Sequence, residues 1–298
     1  MNDPSAAWLR ALPVVFVLIW STGFVVARFG MPHAPPMGFL SVRYALSIVA
    51  FLIWVRWAGV AWPRQRTQWF HLGVTGVLMH AGYLGGVWFA VKNGLGAGPA
   101  ALLVGLQPVL TALWISVGRS QQRIGARHWS GLGLGLAGIM LVLGQKLQLG
   151  EATVVNVAAG LLALLSITAG TLYQKRWVAH CDVRTANAVQ LMAALLVTAP
   201  LAWLEGGGFQ AHPELFGAMA WSVLVLTLGG SSLLTLLIQR GAATSVSSLM
   251  YLVPPATAVM GWLLFDESLG ASVLAGLALA AVGVALVVRG DTHFKEKS

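Results

Sequence analysis

His80 and Tyr83 stand three residues apart, a spacing that sets an imidazole and a phenol on one face of a helix. Both groups donate and accept hydrogen bonds, so the pair suits contact with a polar solute or with a neighbouring helix. Gln107 precedes Pro108, whose missing N–H and bulky ring free a backbone carbonyl one turn earlier. A freed carbonyl beside an amide is a second candidate binding group. Pro254, with Pro255 after it and Tyr251 shortly before, repeats that arrangement. Ser166 adds a hydroxyl and Trp20 an indole. For covalent chemistry the inventory is poor. Ser231 and Ser232 follow Gly229 and Gly230, but a serine nucleophile needs an activating base beside it, and the one centrally placed histidine is on a distant helix. The single cysteine, Cys181, excludes a disulfide framework and a cysteine metal site. No catalytic residue, cofactor or metal site is therefore expected, and the chain is not read as an enzyme. The candidate substrate-binding set is Trp20, His80, Tyr83, Gln107, Ser166 and Tyr251, with Pro108 and Pro254 as hinges.

Composition decides what must hold these residues in place. Of 298 residues 57% are hydrophobic and only 9% charged, against about a quarter charged in an ordinary soluble domain. The 35 glycines and 13 tryptophans fit a chain solvated mostly by lipid, where glycine lets helices approach and tryptophan settles at headgroups. A hydrocarbon core about 30 Å thick needs roughly 20 apolar residues per helix. Ten stretches meet that need: Ala11 to Phe29, Gly38 to Trp57, Phe70 to Val91, Ala97 to Val117, Trp129 to Leu147, Val155 to Tyr173, Ala186 to Leu204, Leu215 to Ile238, Ala243 to Leu264 and Ser272 to Val288. The expected fold is all-α, a polytopic membrane protein with ten transmembrane helices. Counted along these stretches, Trp20, His80, Gln107 and Ser166 all fall near the midplane, where a polar side chain is costly unless it has work to do.

Basic residues fix an expected orientation. Fourteen of the eighteen Lys and Arg fall on the side that holds both ends of the chain and the even-numbered loops, Arg64, Arg123, Lys175 and Arg184 among them. Arg28, Lys92 and Lys146 lie opposite, and Arg43 lies inside the second stretch, about five residues from its outer end, near enough for its guanidinium to snorkel to the headgroups or pair with helix-end carbonyls. Both termini are therefore expected in the cytoplasm. The basic excess is a topology signal; a nucleic-acid partner is not expected, and the expected partners are the lipid bilayer and a small-molecule substrate. All nine acidic residues fall outside the ten stretches.

The chain also repeats itself. At an offset of 146, Leu103, Leu106, Pro108, Thr111 and Ala112 match Leu249, Leu252, Pro254, Thr257 and Ala258. At 145, Gly131, Leu132, Leu134, Gly138 and Leu141 match Gly276, Leu277, Leu279, Gly283 and Leu286. Residues 1–148 and 149–298 then form two five-helix repeats. An odd number of crossings inverts the second, an architecture of secondary transporters that bind near the midplane. The glycine-spaced fifth and tenth stretches are expected to be packing seams.

The Trp20–Phe24 stretch WSTGF, the Ser41–Tyr44 stretch SVRY with its weaker echo AVQL at Ala188–Leu191, LLVGLQPVLTAL in the fourth stretch and MYLVPPATAV in the ninth resemble the EamA-type branch of the drug/metabolite transporter superfamily. Within that branch the chain is most similar to the YddG-type amino-acid exporters. Gln107 and Ser166 stand where an aromatic-selective relative would carry tryptophans. The resemblance implies a ten-helix exporter of the inner membrane for small neutral or zwitterionic metabolites, foremost aromatic and other neutral amino acids, with a purine or a drug-like amphiphile as the alternative cargo; a channel and an intramembrane hydrolase rank below both. The lack of a membrane-embedded glutamate sets the chain apart from the small multidrug exporters of cations in the same superfamily.

Overall fold

Proline, glycine and charge break the apolar chain into helices close to where the stretches end. The computed structural model describes residues 4–118, 126–148, 151–178, 181–239, 252–267 and 269–295, so Tyr251 lies outside the described residues. The helices are α1 (Pro4–Gly30), α2 (Pro36–Trp57), α3 (Arg66–Gly76), α4 (Tyr83–Lys92), α5 (Ala97–Val104), α6 (Gln107–Gly118), α7 (Ala126–Gln148), α8 (Val154–Trp177), α9 (Val183–Glu205), α10 (Pro213–Trp221), α11 (Ser232–Gln239), α12 (Val253–Phe265) and α13 (Ala271–Lys295). Two π-helical segments, Val77–Gly82 and Ser222–Ser231, join α3 to α4 and α10 to α11 without a break. Among the described residues there is no strand. Five helices are long and apolar enough to cross a membrane: Pro36–Trp57, Arg66–Lys92, Val154–Trp177, Val183–Glu205 and Pro213–Leu237; five shorter apolar helices accompany them.

Helix ends follow local chemistry. Pro36 opens α2 and Pro213 opens α10, where a missing N–H costs nothing. Thr153 and Asn156 form a reciprocal capping box at α8, and Asp182 caps α9. The α2 N-terminus has no cap of its own, and Glu205 at the end of α9 supplies one, its Oε2 accepting from Met37 N at 2.8 Å and Gly38 N at 3.4 Å. Glu267 does the same for α5, accepting from Ala97 N at 2.8 Å and Gly98 N at 3.2 Å.

Packing pairs the helices of the first part of the chain with those of the second reciprocally. α2 packs on α9 and α7 on α13; the π segment after α10 packs on α1 as α4 does on α8; and α12 packs on α1 as α6 does on α8. The α7–α13 seam is built on small residues. A Cβ on Gly276 would meet the Gly138 carbonyl at 2.7 Å, and one on Gly283 would meet the Gly135 nitrogen at 2.8 Å, so the two backbones touch. Phe16, Phe39, Tyr44, Phe51 and Trp88 fill the centre, while Val49, Ile53 and Leu196 point outward, as expected of apolar side chains facing lipid.

The two ends of the bundle differ. The end where α1 finishes and α4 reaches Lys92, here the Lys92 end, is closely tied: besides the Glu205 and Glu267 caps, Lys92 Nζ donates to the Met31 carbonyl (2.6 Å) and Asn156 Nδ2 to the Asn93 carbonyl (2.9 Å). At the opposite, His71 end an open polar cleft of about 1100 Å³ lies between Trp62, Gln68, His71, Arg176 and Cys181.

Candidate functional site

Both π segments sit in the third apolar helix of their half, and both carry polar side chains turned inward. A π turn holds one residue more than the α ladder accommodates, so some carbonyls need other partners, and such turns recur at functional sites. Tyr44 of α2 donates its hydroxyl to the His80 carbonyl at 2.8 Å. In the second segment Thr227 Oγ1 donates to the Ser222 carbonyl five residues back (2.8 Å) and Ser231 Oγ to that of Leu226 (3.4 Å).

Between these segments, α1, α2, α9 and α11 lies a cavity with about 600 Å³ of empty space, its mouth included. Trp20 and Tyr83 form one wall, their rings stacked with centroids 6.4 Å apart and 4° between planes. Phe24, Leu226 and Leu234 continue it. The opposite side is polar. His80 lies within side-chain hydrogen-bonding reach of Gln190. Arg43 donates Nε to Thr227 Oγ1 (3.0 Å), and its guanidinium carbon stands 5.8 Å from the Trp88 ring centroid. That bond is the only one the guanidinium makes among the described residues, so its terminal nitrogens remain for a ligand. Asn187 and Gln190, one helical turn apart on α9, both line the cavity. Asn187 Nδ2 donates to the Val183 carbonyl (2.8 Å), whereas Asn187 Oδ1 and Gln190 Nε2 are buried and have no partner among the described residues. An unmatched buried acceptor or donor costs about 1–3 kcal/mol, which a polar solute in the cavity recovers. No carboxylate lines the cavity among the described residues.

The expected site residues therefore divide. Trp20, His80 and Tyr83 meet at the cavity. Gln107 and Ser166 are buried outside its lining: Gln107 Nε2 donates to Thr171 Oγ1 (3.0 Å), fastening α6 to α8, and Ser166 packs against Gly82, where an added Cβ would stand 2.6 Å from its hydroxyl. Pro108 and Pro254 each stand in the first turn of a helix, α6 and α12. The first of these helices follows an interruption at Gly105 and Leu106, between α5 and α6, and a Cβ on Gly105 would stand 2.6 Å from the Pro254 ring, so the start of α12 packs against that interruption.

Arg43 corrects an expectation. It is 3% exposed and points into the cavity, because Thr227 and the Trp88 face receive it there; it does not reach the headgroups. Arg43 and Gln190 are also the residues missed most avoidably. They occupy the same place in SVRY and its echo AVQL, and the structure sets them as counterparts, Arg43 bonded to Thr227 of one π segment and Gln190 beside His80 of the other.

The cleft at the His71 end is held by aromatic and charged contacts: His71 Nδ1 and the Tyr173 hydroxyl are 2.6 Å apart, and Trp177 stacks on the His71 ring at 4.9 Å. There the Arg184 side chain, hydrogen-bonded to Asp182, holds that carboxyl below its ordinary range, and burial pushes the Cys181 thiol up.

The chain matches the EamA-like transporter family twice, over residues 9–144 and 155–289. It is similar to a protein of Salmonella typhimurium named a probable amino-acid metabolite efflux pump, with 23% identity over 94% of each chain. It is also similar to the uncharacterized inner membrane transporter YedA of Escherichia coli K12, with 25% identity over 94% of this chain and 90% of that one. Among solved structures it resembles a protein crystal structure with a TM-score of 0.68 and 17% identity, covering 95% of this chain and 96% of the other; that likeness speaks to the fold.

Proposed function

Because the chain belongs to the EamA-like transporter family, we propose that it is a secondary transporter exporting small zwitterionic metabolites, amino acids foremost, across the inner membrane. The observation that carries the reading is the polar side of the cavity: the Arg43 terminal nitrogens and Gln190 Nε2 as donors, Asn187 Oδ1 as acceptor. Donors of this kind suit a carboxylate, and the acceptor suits an ammonium one or two bonds away. Trp20 and Tyr83 offer an apolar face to the remaining side chain. A cationic amphiphile meets a guanidinium and no counter-charge. The names of the relatives, an amino-acid metabolite efflux pump and an inner membrane transporter, agree with this reading.

The two halves, 1–148 and 149–298, act as inverted five-helix repeats of a ten-span protein whose termini lie in the cytoplasm. Reciprocal packing and the paired π segments support the inversion. The Lys92 end then faces outward and is closed, and the His71 cleft is the cytoplasmic mouth. Exchange between this state and its counterpart uses Pro108 and Pro254 as hinges.

The test is counterflow in proteoliposomes loaded with single unlabelled amino acids. Uptake of a labelled amino acid should be accelerated by the same compound inside, and Arg43→Gln should abolish the effect while leaving the protein folded. Flux of the whole panel without trans-stimulation indicates a channel and removes the carrier reading, whereas no flux of any amino acid removes the substrate class.

A further inference from the structure

At the Lys92 end, three metal-ligating side chains meet that no sequence spacing brings together. His33 lies in the turn between α1 and α2; His212 is the N-cap of α10, and Glu214 stands in that helix's first turn. His33 Nε2 is 2.9 Å from Glu214 Oε2, and His212 Nδ1 is 3.7 Å from the same oxygen. One ligand atom from each residue falls within 4.8 Å of the others. Ligands about 2.0–2.1 Å from a tetrahedral zinc stand about 3.3–3.4 Å apart, which lies between the two measured separations. Their scaffold is set by the backbone: Gln210 N donates to the His33 carbonyl at 2.8 Å, holding the α9–α10 connection against the α1–α2 turn. The imidazoles stack face to face at 4.1 Å with 13° between planes, both beside one carboxylate oxygen.

We propose that His33, His212 and Glu214 form a site for a divalent transition metal, zinc or an ion of similar preference, which ties the α1–α2 turn to the start of α10. Two imidazoles and a carboxylate make the nitrogen and oxygen set that zinc accepts, and a water completes four-coordination. His212 Nδ1 now accepts the Glu214 backbone N–H at 3.3 Å, a long bond that the metal replaces. The side chains are partly open to water, so an ion reaches them without unfolding the loops: His33 is 15% exposed, His212 and Glu214 46% each. The ligands come from the two halves of the chain, so the bound ion links the halves directly at their outer rim. This assignment is independent of what the central cavity carries.

The experiment is isothermal titration of the full, tag-free chain in detergent with ZnCl2 alone, alongside H33A, H212A, E214Q and H71A, with MgCl2 as a control. Removing an outer-shell partner of a metal ligand already costs about 10–100-fold in affinity, so loss of a direct ligand costs at least tenfold. The wild type and H71A should bind one zinc per chain with equal affinity and no magnesium, and H33A and H212A should bind at least tenfold more weakly. Zinc should raise the thermal unfolding midpoint of the wild type but not of H33A. Metal-free unfolding midpoints and gel-filtration profiles identify a misfolded variant, and each His variant is read separately, so either suffices. Undiminished zinc binding in a folded H33A or H212A, or none in the wild type, overturns the site.

Discussion

Replacing Gln190 by Leu separates a ligand-binding amide from a helix fastener, because the two roles predict opposite balances of stability and transport. Gln190 is 2% exposed, its Nε2 has no partner among the described residues, and its amide lies beside His80. The substitution removes an unmatched buried donor, worth about 1–3 kcal/mol in the variant's favour, and leaves the His80 ring without the amide near it, which offsets part of that gain. The net change in stability should stay within about 1 kcal/mol of zero. Transport should fall more steeply: a solute group bound by Nε2 is left unpaired at about 1–3 kcal/mol, which corresponds to about five- to hundred-fold in half-saturation or turnover. Gln174→Leu is the matched control. That residue is 1% exposed, both its amide atoms lack partners among the described residues, and it lies on α8 outside the cavity lining. It should gain thermal stability and transport normally. Unfolding midpoints in detergent and initial rates in proteoliposomes, at matched protein density, read both effects. A Gln190→Leu protein that unfolds early yet transports at the wild-type rate would refute the reasoning and make the amide a fastener.

Gly76→Ala drives a methyl into the Gln190 carbonyl of α9 and should cost about 1–3 kcal/mol by overpacking. Gly144→Ala meets open space and should be neutral or slightly stabilising in the same thermal scan. Glu205→Ala strips the cap from α2 and should cost about 0.5–2 kcal/mol, with Glu205→Gln losing less because an acceptor remains; equal losses argue against capping. Pro254→Ala relieves the ring beside Gly105 and should reduce counterflow turnover more than ligand-induced thermal stabilisation, and normal turnover leaves the proline as packing. Burial raises the Cys181 thiol above its ordinary value, so less thiolate is present at neutral pH. Its labelling by an impermeant maleimide in inverted vesicles should be slow near pH 7 and accelerate as pH rises, and labelling in intact cells instead would reverse the orientation.

How much of this was legible depends on what depth and pattern encode. Among the described residues the apolar stretches anticipated where helices form, and Gly138 with Gly276 and Gly283 marked the α7–α13 seam, because close approach leaves its mark in residue size. Counting residues from a helix end gives height in the membrane but not the face presented. Gln107 and Ser166 count to the middle of their stretches, yet Thr171 and Gly82 are what they face. Trp20, His80 and Tyr83 reach the cavity from equally central positions. The π segments left no periodic trace, since they depend on a partner such as Tyr44, distant in sequence, to receive a displaced carbonyl. Arg43 was read from its distance to the helix end alone, and the Thr227 hydroxyl that turns it inward comes from the other half of the chain.

The carboxylates that cap α2 and α5, Glu205 and Glu267, both stand in the second half of the chain, and both helices that they cap stand in the first. In the alternating-access carrier proposed above, unequal ties between the halves would make the two facing states unequal in free energy, and the binding site would spend unequal times open to each side of the bilayer. For transport not coupled to an ion, apparent affinity and maximal flux can then differ between the faces, while detailed balance holds their ratio, flux over half-saturation, the same in both directions. Those side-chain caps can thus make the carrier work at different solute concentrations inside and out. They cannot make it accumulate anything, so any concentrating power must come from a coupled gradient.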